Sequence, residues 1–189
     1  VAFQAFPKPD SESIWTEEGG KAVYDGDIKV NSVVVGRGGG YKSTNTAVGN
    51  NALTANSTGS DNVAVGTHAL STNTVARYNV AVGVQALQNN NGSTNTAVGH
   101  GALFSNNGAG ERNVGIGSGT LYNKTAGVEN TAIGTNAGIN LISGSNNVLL
   151  GFDAQPSSAT VSNEVTIGND DITRFTTVGD RFKYNIGAS

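Results

Sequence analysis

The carboxylates are the residues of this chain whose spacing comes closest to a catalytic pattern. Hydrolysis of a glycosidic bond needs two carboxyl groups about 5–10 Å apart. Glu111 and Glu129 fall at nearly the same point of neighbouring sequence repeats, so a repetitive fold would place them on adjacent turns. Arg112 lies between them in that register and should neutralise the pair. We therefore expect a solvated, salt-bridged rim here and not a catalytic site.

Other catalytic and metal-binding chemistry lacks the residues that it needs. The chain has no Cys and two His, which excludes thiolate chemistry, disulfides and Cys/His metal clusters. His68 and His100 have no Ser and Asp partners that would complete a nucleophilic triad. The Gly-rich run 36–40 lacks the Lys-Ser/Thr ending of a phosphate-binding loop. Asp170 and Asp171 fit a turn. The sequence predicts no enzyme, no metal and no cofactor.

The composition narrows the class of protein further. Charged residues make up 13% of the chain, the net charge is −3, and 27 of 189 residues are Gly. The weak negative charge argues against nucleic-acid binding, and no apolar run approaches the roughly 18 residues that a membrane span needs. The N-terminus lacks Met and the features of a signal peptide, so we expect a processed chain or an excised fragment.

A repeat of about 17 residues dominates the sequence. Each unit begins with Asn, continues with a short β-prone stretch, and reaches Gly four residues after the Asn. Degenerate copies begin at Asn31 (NSVVVG) and Asn163 (NEVTIG), which makes about nine units. The seven regular units begin at Asn45, Asn62, Asn79, Asn95, Asn113, Asn130 and Asn147.

Short strands and Gly-marked corners in a repeat of this length predict an all-β fold, a parallel β-solenoid of about nine 17-residue coils. Gly and Asn at fixed points of every unit disfavour helical repeats. Each repeated position should form a column along the stack, and Asn side chains should bond from coil to coil. We expect residues 1–30 to form an N-terminal cap or connector, 31–168 the solenoid and 169–189 a C-terminal capping or tip segment.

Two apolar columns compete for the interior of the coil. The first lies just before the Gly and comprises Val48, Val65, Val82, Val98, Ile116, Ile133 and Leu150. If this column fills the coil, the second is free to face a partner chain; alternatively, the second column completes the interior. The second column, our candidate trimer interface, comprises Leu53, Leu70, Leu87, Leu103 and Leu121.

The run NTAVGNNAL, NVAVGTHAL and NVAVGVQAL resembles the head repeats of YadA-like trimeric autotransporter adhesins. It resembles more closely the repeats that precede the intramolecular chaperone of endosialidase (peptidase S74) domain in phage tail fibres and tailspikes. The segments GDIKVNSVVVGRGGG and NEVTIGNDDITRF are similar to the flanks of such arrays, so the resemblance covers roughly residues 26 to 176. It implies a homotrimer of parallel left-handed β-roll coils, and a C-terminal chaperone domain that was cleaved off.

This resemblance implies a structural protein that takes part in attachment to a host. We expect a rigid segment of a viral tail fibre or spike, located on the virion, that presents a surface to a host glycan or protein receptor without inserting into a membrane. The alternatives are the head of a bacterial surface adhesin, an ice-binding solenoid and a polysaccharide-degrading tailspike. Ice binding is disfavoured because Thr46, Thr96 and Thr131 share their column with Val, so no continuous Thr face forms.

The candidate binding residues are aromatic and basic. Phe104 and Tyr122 follow the Leu of adjacent coils and should stack, either to hold a sugar face or to seal the trimer. Arg77 and Tyr78 interrupt a polar corner in the same way. The C-terminal stretch departs sharply from the repeat composition and is expected to cap the trimer or to contact a receptor; its candidates are Arg174, Phe175, Arg181, Phe182 and Tyr184.

Overall fold

A computed structural model describes residues 15–18, 21–24, 28–30, 33–108 and 110–173. This part of the chain is all-β, with a single 3₁₀ turn at Gly39–Tyr41. None of its helical segments has the length and apolar character needed to cross a membrane. The strands are β1 Trp15–Glu18, β2 Lys21–Tyr24, β3 Ile28–Val30, β4 Val33–Gly36, β5 Thr46–Gly49, β6 Val63–Val65, β7 Val80–Val82, β8 Thr96–Val98, β9 Val114–Ile116, β10 Thr131–Ile133, β11 Val148–Leu150 and β12 Val165–Ile167.

The strands β5 to β12 stack in parallel and in chain order, one strand per coil. This arrangement is a parallel β-solenoid of about seven turns of roughly 17 residues. Adjacent parallel strands lie about 4.8 Å apart, so the stack is about 34 Å long from β5 to β12. The predicted all-β parallel β-solenoid is therefore confirmed, although the number of coils is smaller than the predicted nine.

The N-terminal end of the stack is closed by antiparallel strands. β3 pairs antiparallel with β4, and β4 pairs antiparallel with β5. The NSVVVG copy at Asn31 therefore supplies a hairpin strand and does not form a further coil. A separate antiparallel pair joins β1 to β2. The reversal covers the first parallel strand, whose free edge would otherwise be open to pairing with another chain.

The interior is lined by the Leu column, the second of the two arrangements that the sequence left open, together with the middle residues of the strands. From β6 to β11 the middle residue of each strand is buried, as at Ala64 and Ala81, because successive side chains of a strand point to opposite faces. In β12 the middle residue, Thr166, is half-buried. The Leu column completes the core across the coil. Its members are all fully buried, so the predicted partner-facing position of this column is wrong: Leu53, Leu70, Leu87, Leu103 and Leu121.

The Leu side chains reach the interior through an unusual backbone geometry. Leu87 and Leu121 both have φ of 48°, in the left-handed region that non-glycine residues seldom adopt. The sixth coil has Gly138 at this position, also with positive φ. The corner therefore turns the chain sharply enough to aim a large side chain inward, where the small middle residues of the strand leave room for it.

Buried asparagines hold neighbouring coils together on the polar side of the interior. In the first Asn ladder, which consists of the Asn that opens each regular coil, the side-chain oxygen accepts the backbone N–H of its counterpart one coil later. The Asn62 oxygen, for example, accepts the N–H of Asn79 at 3.0 Å. The ladder ends at Glu164, whose N–H donates to Asn147 at 2.9 Å. The last copy of the repeat thus aligns through Glu164 and not through Asn163.

A second Asn ladder runs parallel to the first and was not anticipated from the sequence. It comprises Asn56, Asn73, Asn90 and Asn106, all buried. Their side chains bond to one another between coils; the Asn106 amide donates to Asn90 at 2.7 Å. Because these buried amides are paired, they bind the coils together without an unsatisfied polar group.

Candidate interaction surface

The most prominent surface feature is an apolar sheet face. The residues that flank the buried middle position of each strand point outward and form two columns, which together we call the outward sheet face. Their first column comprises Thr46, Val63, Val80, Thr96, Val114, Thr131, Val148 and Val165. Their second column comprises Val48, Val65, Val82, Val98, Ile116, Ile133, Leu150 and Ile167.

Large aliphatic side chains on this face are open to solvent in the single chain. Val82 is 37% exposed, Ile133 is 42% exposed and Ile167 is 57% exposed. Between Val82 and Ile133 the same column holds Val98, 36% exposed, and Ile116, 38% exposed, so the exposed apolar surface is continuous from β7 to β10. Contiguous apolar surface of this kind marks interaction sites in soluble proteins. The outward sheet face is the strongest candidate interaction surface in the described part of the chain.

Phe104 and Tyr122 stack as predicted. Their ring centroids lie 4.7 Å apart and the ring planes are inclined by 2°. Each ring covers one face of the other, so a sugar could stack only on the outer faces. In the same column the neighbouring residues are Gln88 on one side and Ile139 on the other. The geometry therefore suits a packing ladder between coils better than an open sugar platform.

Arg77 and Tyr78 lie at a different corner, directly before Asn79. The Tyr78 side chain is 59% exposed, and its φ of 60° lies in the left-handed region. Bulky residues are rare in this conformation. Tyr78 thus presents its ring to solvent at a position better suited to Asn or Gly. It belongs to a separate column from Phe104 and Tyr122, so these candidates do not form one site.

The remaining candidate binding residues belong to the C-terminal stretch. Arg174, Phe175, Arg181, Phe182 and Tyr184 lie outside the described residues.

The paired carboxylates are neutralised as the sequence indicated. Arg112 Nη1 lies 3.1 Å from Glu111 Oε2, and Arg112 Nε lies 3.0 Å from Glu129 Oε1 on the next coil. All three side chains are about half exposed. Exposed ion pairs of this kind contribute little stability. The guanidinium occupies the space between the two carboxylates in which a glycosidase would bind its substrate.

The remaining acidic candidates, Asp170 and Asp171, lie near the C-terminal end of the stack. Among the described residues, no group of three or more His, Asp and Glu side chains is placed to hold a metal ion. Asp170 and Asp171 lie in a turn, as predicted, where the N–H of Asp171 donates to Asn169 Oδ1 at 3.3 Å. They border a groove of about 370 Å³ at the C-terminal end of the stack.

A buried lysine is the ionisable group that sequence reasoning missed. Lys124 occupies the next position of the second Asn ladder and is fully buried. Its ammonium donates to Asn106 Oδ1 at 3.3 Å and to the carbonyl of Gly127 at 2.6 Å. Burial lowers the pKa of Lys124 from 10.5 to about 8. The sequence feature that could have revealed this buried lysine is its position 18 residues after Asn106, where the repeat predicts another Asn.

Comparison with family models, with curated proteins and with solved structures finds no match for this chain.

Proposed function

We propose that this chain is a structural segment of a trimeric fibre or spike on a virion, which holds a receptor-binding surface at a distance from its base. In the proposed assembly three parallel chains pack through their outward sheet faces. The observation that carries this proposal is the exposure of aliphatic side chains on strands between β7 and β12, Val82, Ile133 and Ile167 among them. Burial of such a continuous apolar surface is the main favourable term in obligate association.

The hydrogen bonding of the coils supports a rigid role. Successive coils from β5 to β12 are joined by parallel strand pairing and by the two Asn ladders. A thin coil of this kind has a small core of its own, so packing against identical chains supplies the missing apolar burial. A rod of stacked, mutually bonded coils suits a spacer that must keep its length under load.

A non-enzymatic role is part of the proposal. The carboxylates of Glu111 and Glu129, the paired candidates, are both bound by Arg112. A polysaccharide-degrading spike would need its two carboxyl groups free on either side of the scissile bond.

The native mass in solution tests the trimer. Light scattering on a sizing column should give a mass near three times the 19.1 kDa of the chain. A band of the trimer's mass should also persist on a denaturing gel when the sample is not boiled. A clean monomer would contradict both the trimer and the fibre role that depends on it.

Host attachment is tested through Tyr78, the exposed aromatic residue among the predicted binding residues that the structure describes. We expect the trimer to bind immobilised bacterial surface polysaccharides, and Tyr78→Ala to weaken that binding at least tenfold, because an exposed ring supplies the apolar contact for a sugar face. Thr67→Ala, another exposed position, is the matched control. Equal binding by both variants would show that attachment does not depend on the corner that carries Tyr78.

A further inference from the structure

The outward sheet face carries three polar interruptions at fixed heights. Its first column is Val at β6, β7, β9, β11 and β12, whereas Thr46, Thr96 and Thr131 stand at β5, β8 and β10. None of these three hydroxyls has a hydrogen-bond partner among the described residues. Other threonines do bond within the chain; the Thr72 hydroxyl donates to Gln88 O at 2.7 Å and the Thr120 hydroxyl to Gly117 O at 2.8 Å.

We propose that Thr46, Thr96 and Thr131 set the register and the parallel orientation of the trimer by hydrogen bonding to their own counterparts in the two other copies. This inference rests on the proposed trimer. A threefold axis parallel to the stack places equivalent residues of the three chains at one height. Three hydroxyls that meet at such an axis can form a closed ring, in which each donates one hydrogen bond and accepts one.

The spacing of the three threonines distinguishes the correct alignment from the alternatives. They are separated by three strands and then by two, so the pattern is not repeated along the stack and does not read the same in reverse. If one chain slips by one coil in either direction, none of its three Thr faces a Thr of a neighbouring chain. If one chain is inverted at full overlap, every Thr again faces Val. The unshifted parallel alignment is the one that matches all three.

A mismatch costs free energy because it buries a hydroxyl without a partner. The valines alone would favour association but would not select one register, because every coil presents nearly the same aliphatic surface to the neighbouring chains. A single polar residue in the apolar seam of a coiled coil fixes register and orientation for the same reason, at some cost in stability. The three threonines would do this for the outward sheet face.

The test uses distances between labels in the assembled protein. Because the chain has no Cys, Thr58→Cys on an exposed loop provides one spin-label site per copy. We expect one narrow inter-label distance in the otherwise unchanged protein. The variant Thr46→Val/Thr96→Val/Thr131→Val should still associate but should give a broad distribution. Inverted neighbours would separate the labels by about 30 Å more along the stack.

The matched control adds methyl groups outside the outward sheet face. Thr67→Val/Thr135→Val changes two exposed positions of a column in which Val84 already occurs, and it should keep the narrow distance. A narrow, unchanged distance in the triple variant would overturn the inference. A monomeric starting protein would overturn the proposed trimer itself, and light scattering before labelling distinguishes the two failures.

A second variant keeps the inference testable if the triple variant does not fold. Val80→Thr/Thr96→Val moves the middle Thr by one coil and leaves the composition unchanged. This chain should form trimers with itself, but it should be depleted from mixed trimers when it is co-expressed with the unchanged chain under a different tag. The Thr67→Val/Thr135→Val chain should mix freely. Free mixing of the swapped chain would show that the threonines do not select the register.

Discussion

At the scale of single residues, Lys124 is the position where the chain departs most from its own pattern. Four preceding members of its ladder are neutral amides, whereas Lys124 places an ammonium in the same buried column. Its Nζ donates to Asn106 and to Gly127, and neither partner is a carboxylate. Desolvation of the charge therefore opposes folding at neutral pH.

Replacing this lysine by the amide of the ladder should stabilise the protein. The folded-state pKa of about 8 lies below the ordinary 10.5, so the charged form disfavours the fold below pH 8. The penalty disappears as pH rises from about 8 to 10.5, where lysine is neutral in both states. We expect Lys124→Asn to raise the free energy of unfolding at pH 7 by about 1–3 kcal/mol, as measured by chemical denaturation.

The pH dependence separates the charge from the hydrogen bonds. The advantage of Lys124→Asn over the unchanged protein should shrink between pH 8 and pH 10. Lys124→Met removes the charge but leaves Asn106 Oδ1 and the Gly127 carbonyl without their donor, so it should stabilise less than Asn. If the difference in free energy of unfolding between Lys124→Asn and the unchanged protein stays constant from pH 7 to pH 10, Lys124 is not a buried, desolvated ammonium.

The glycine after each strand is the second residue-scale constraint. Gly83 has a φ of 136°, and a Cβ placed there would overlap the carbonyl oxygen of Gly99 on the next coil. We expect Gly83→Ala to lower the free energy of unfolding by about 2 kcal/mol or more, since both the backbone conformation and the spacing of two coils must change. Thr67→Ala, at an exposed position on an adjacent coil, should cost little. Equal thermal melting of the two variants would exclude this close approach.

At the scale of the coil, the large and small interior residues are matched across neighbouring coils. The Leu103 side chain approaches within 3.3 Å of the position where Gly115, on the next coil, would carry a Cβ. In the sixth coil the arrangement is reversed: Gly138 replaces the Leu, and Leu149 on the next coil replaces the usual Ala. A Cβ at Gly138 would lie 2.6 Å from Leu149 Cδ1.

This complementarity predicts strong coupling between positions 138 and 149. Gly138→Leu alone should destabilise through overpacking, and Leu149→Ala alone should cost about 2–5 kcal/mol through a cavity. The double variant recreates the Leu and Ala pairing of the earlier coils, so we expect it to recover most of the loss. A double-mutant cycle from denaturation curves measures the coupling. Additive effects would mean that the two side chains do not share one space.

At the scale of the whole molecule, the outward sheet face should control assembly without controlling the fold of the coil. Ile116 is 38% exposed in the single chain, so Ile116→Glu adds a charge that the isolated solenoid can solvate. In the proposed trimer the same carboxylate would be buried against two others. We expect the variant to be monomeric by light scattering, with an unchanged β-sheet circular dichroism spectrum.

The neighbouring exposed position supplies the control for this prediction. Ser118→Glu carries the same charge on the same coil but outside the outward sheet face, so it should remain trimeric. If Ile116→Glu also remains trimeric, the chains associate through a different surface. If neither protein folds, the coil itself cannot tolerate the added charge and the face is not separable from the core.

The sequence alone determined the type of fold, the repeat length and the columns, because period and composition are local properties that stacking preserves. It also determined the stacking of Phe104 on Tyr122 and the neutralisation of Glu111 and Glu129 by Arg112, since equal repeat positions must meet on adjacent coils. The antiparallel pairing of β4 with β5 was not visible, because a degenerate repeat copy does not specify strand direction.

The tertiary structure alone decided which apolar column lies inside. Val and Leu are both apolar, and the repeat period is the same whichever one faces the core. The decision comes from the left-handed corner at Leu87 and its counterparts, which turns the Leu side chain inward against the small middle residue of each strand. The flanking valines and threonines are then directed outward, because neighbouring side chains of a strand point to opposite faces.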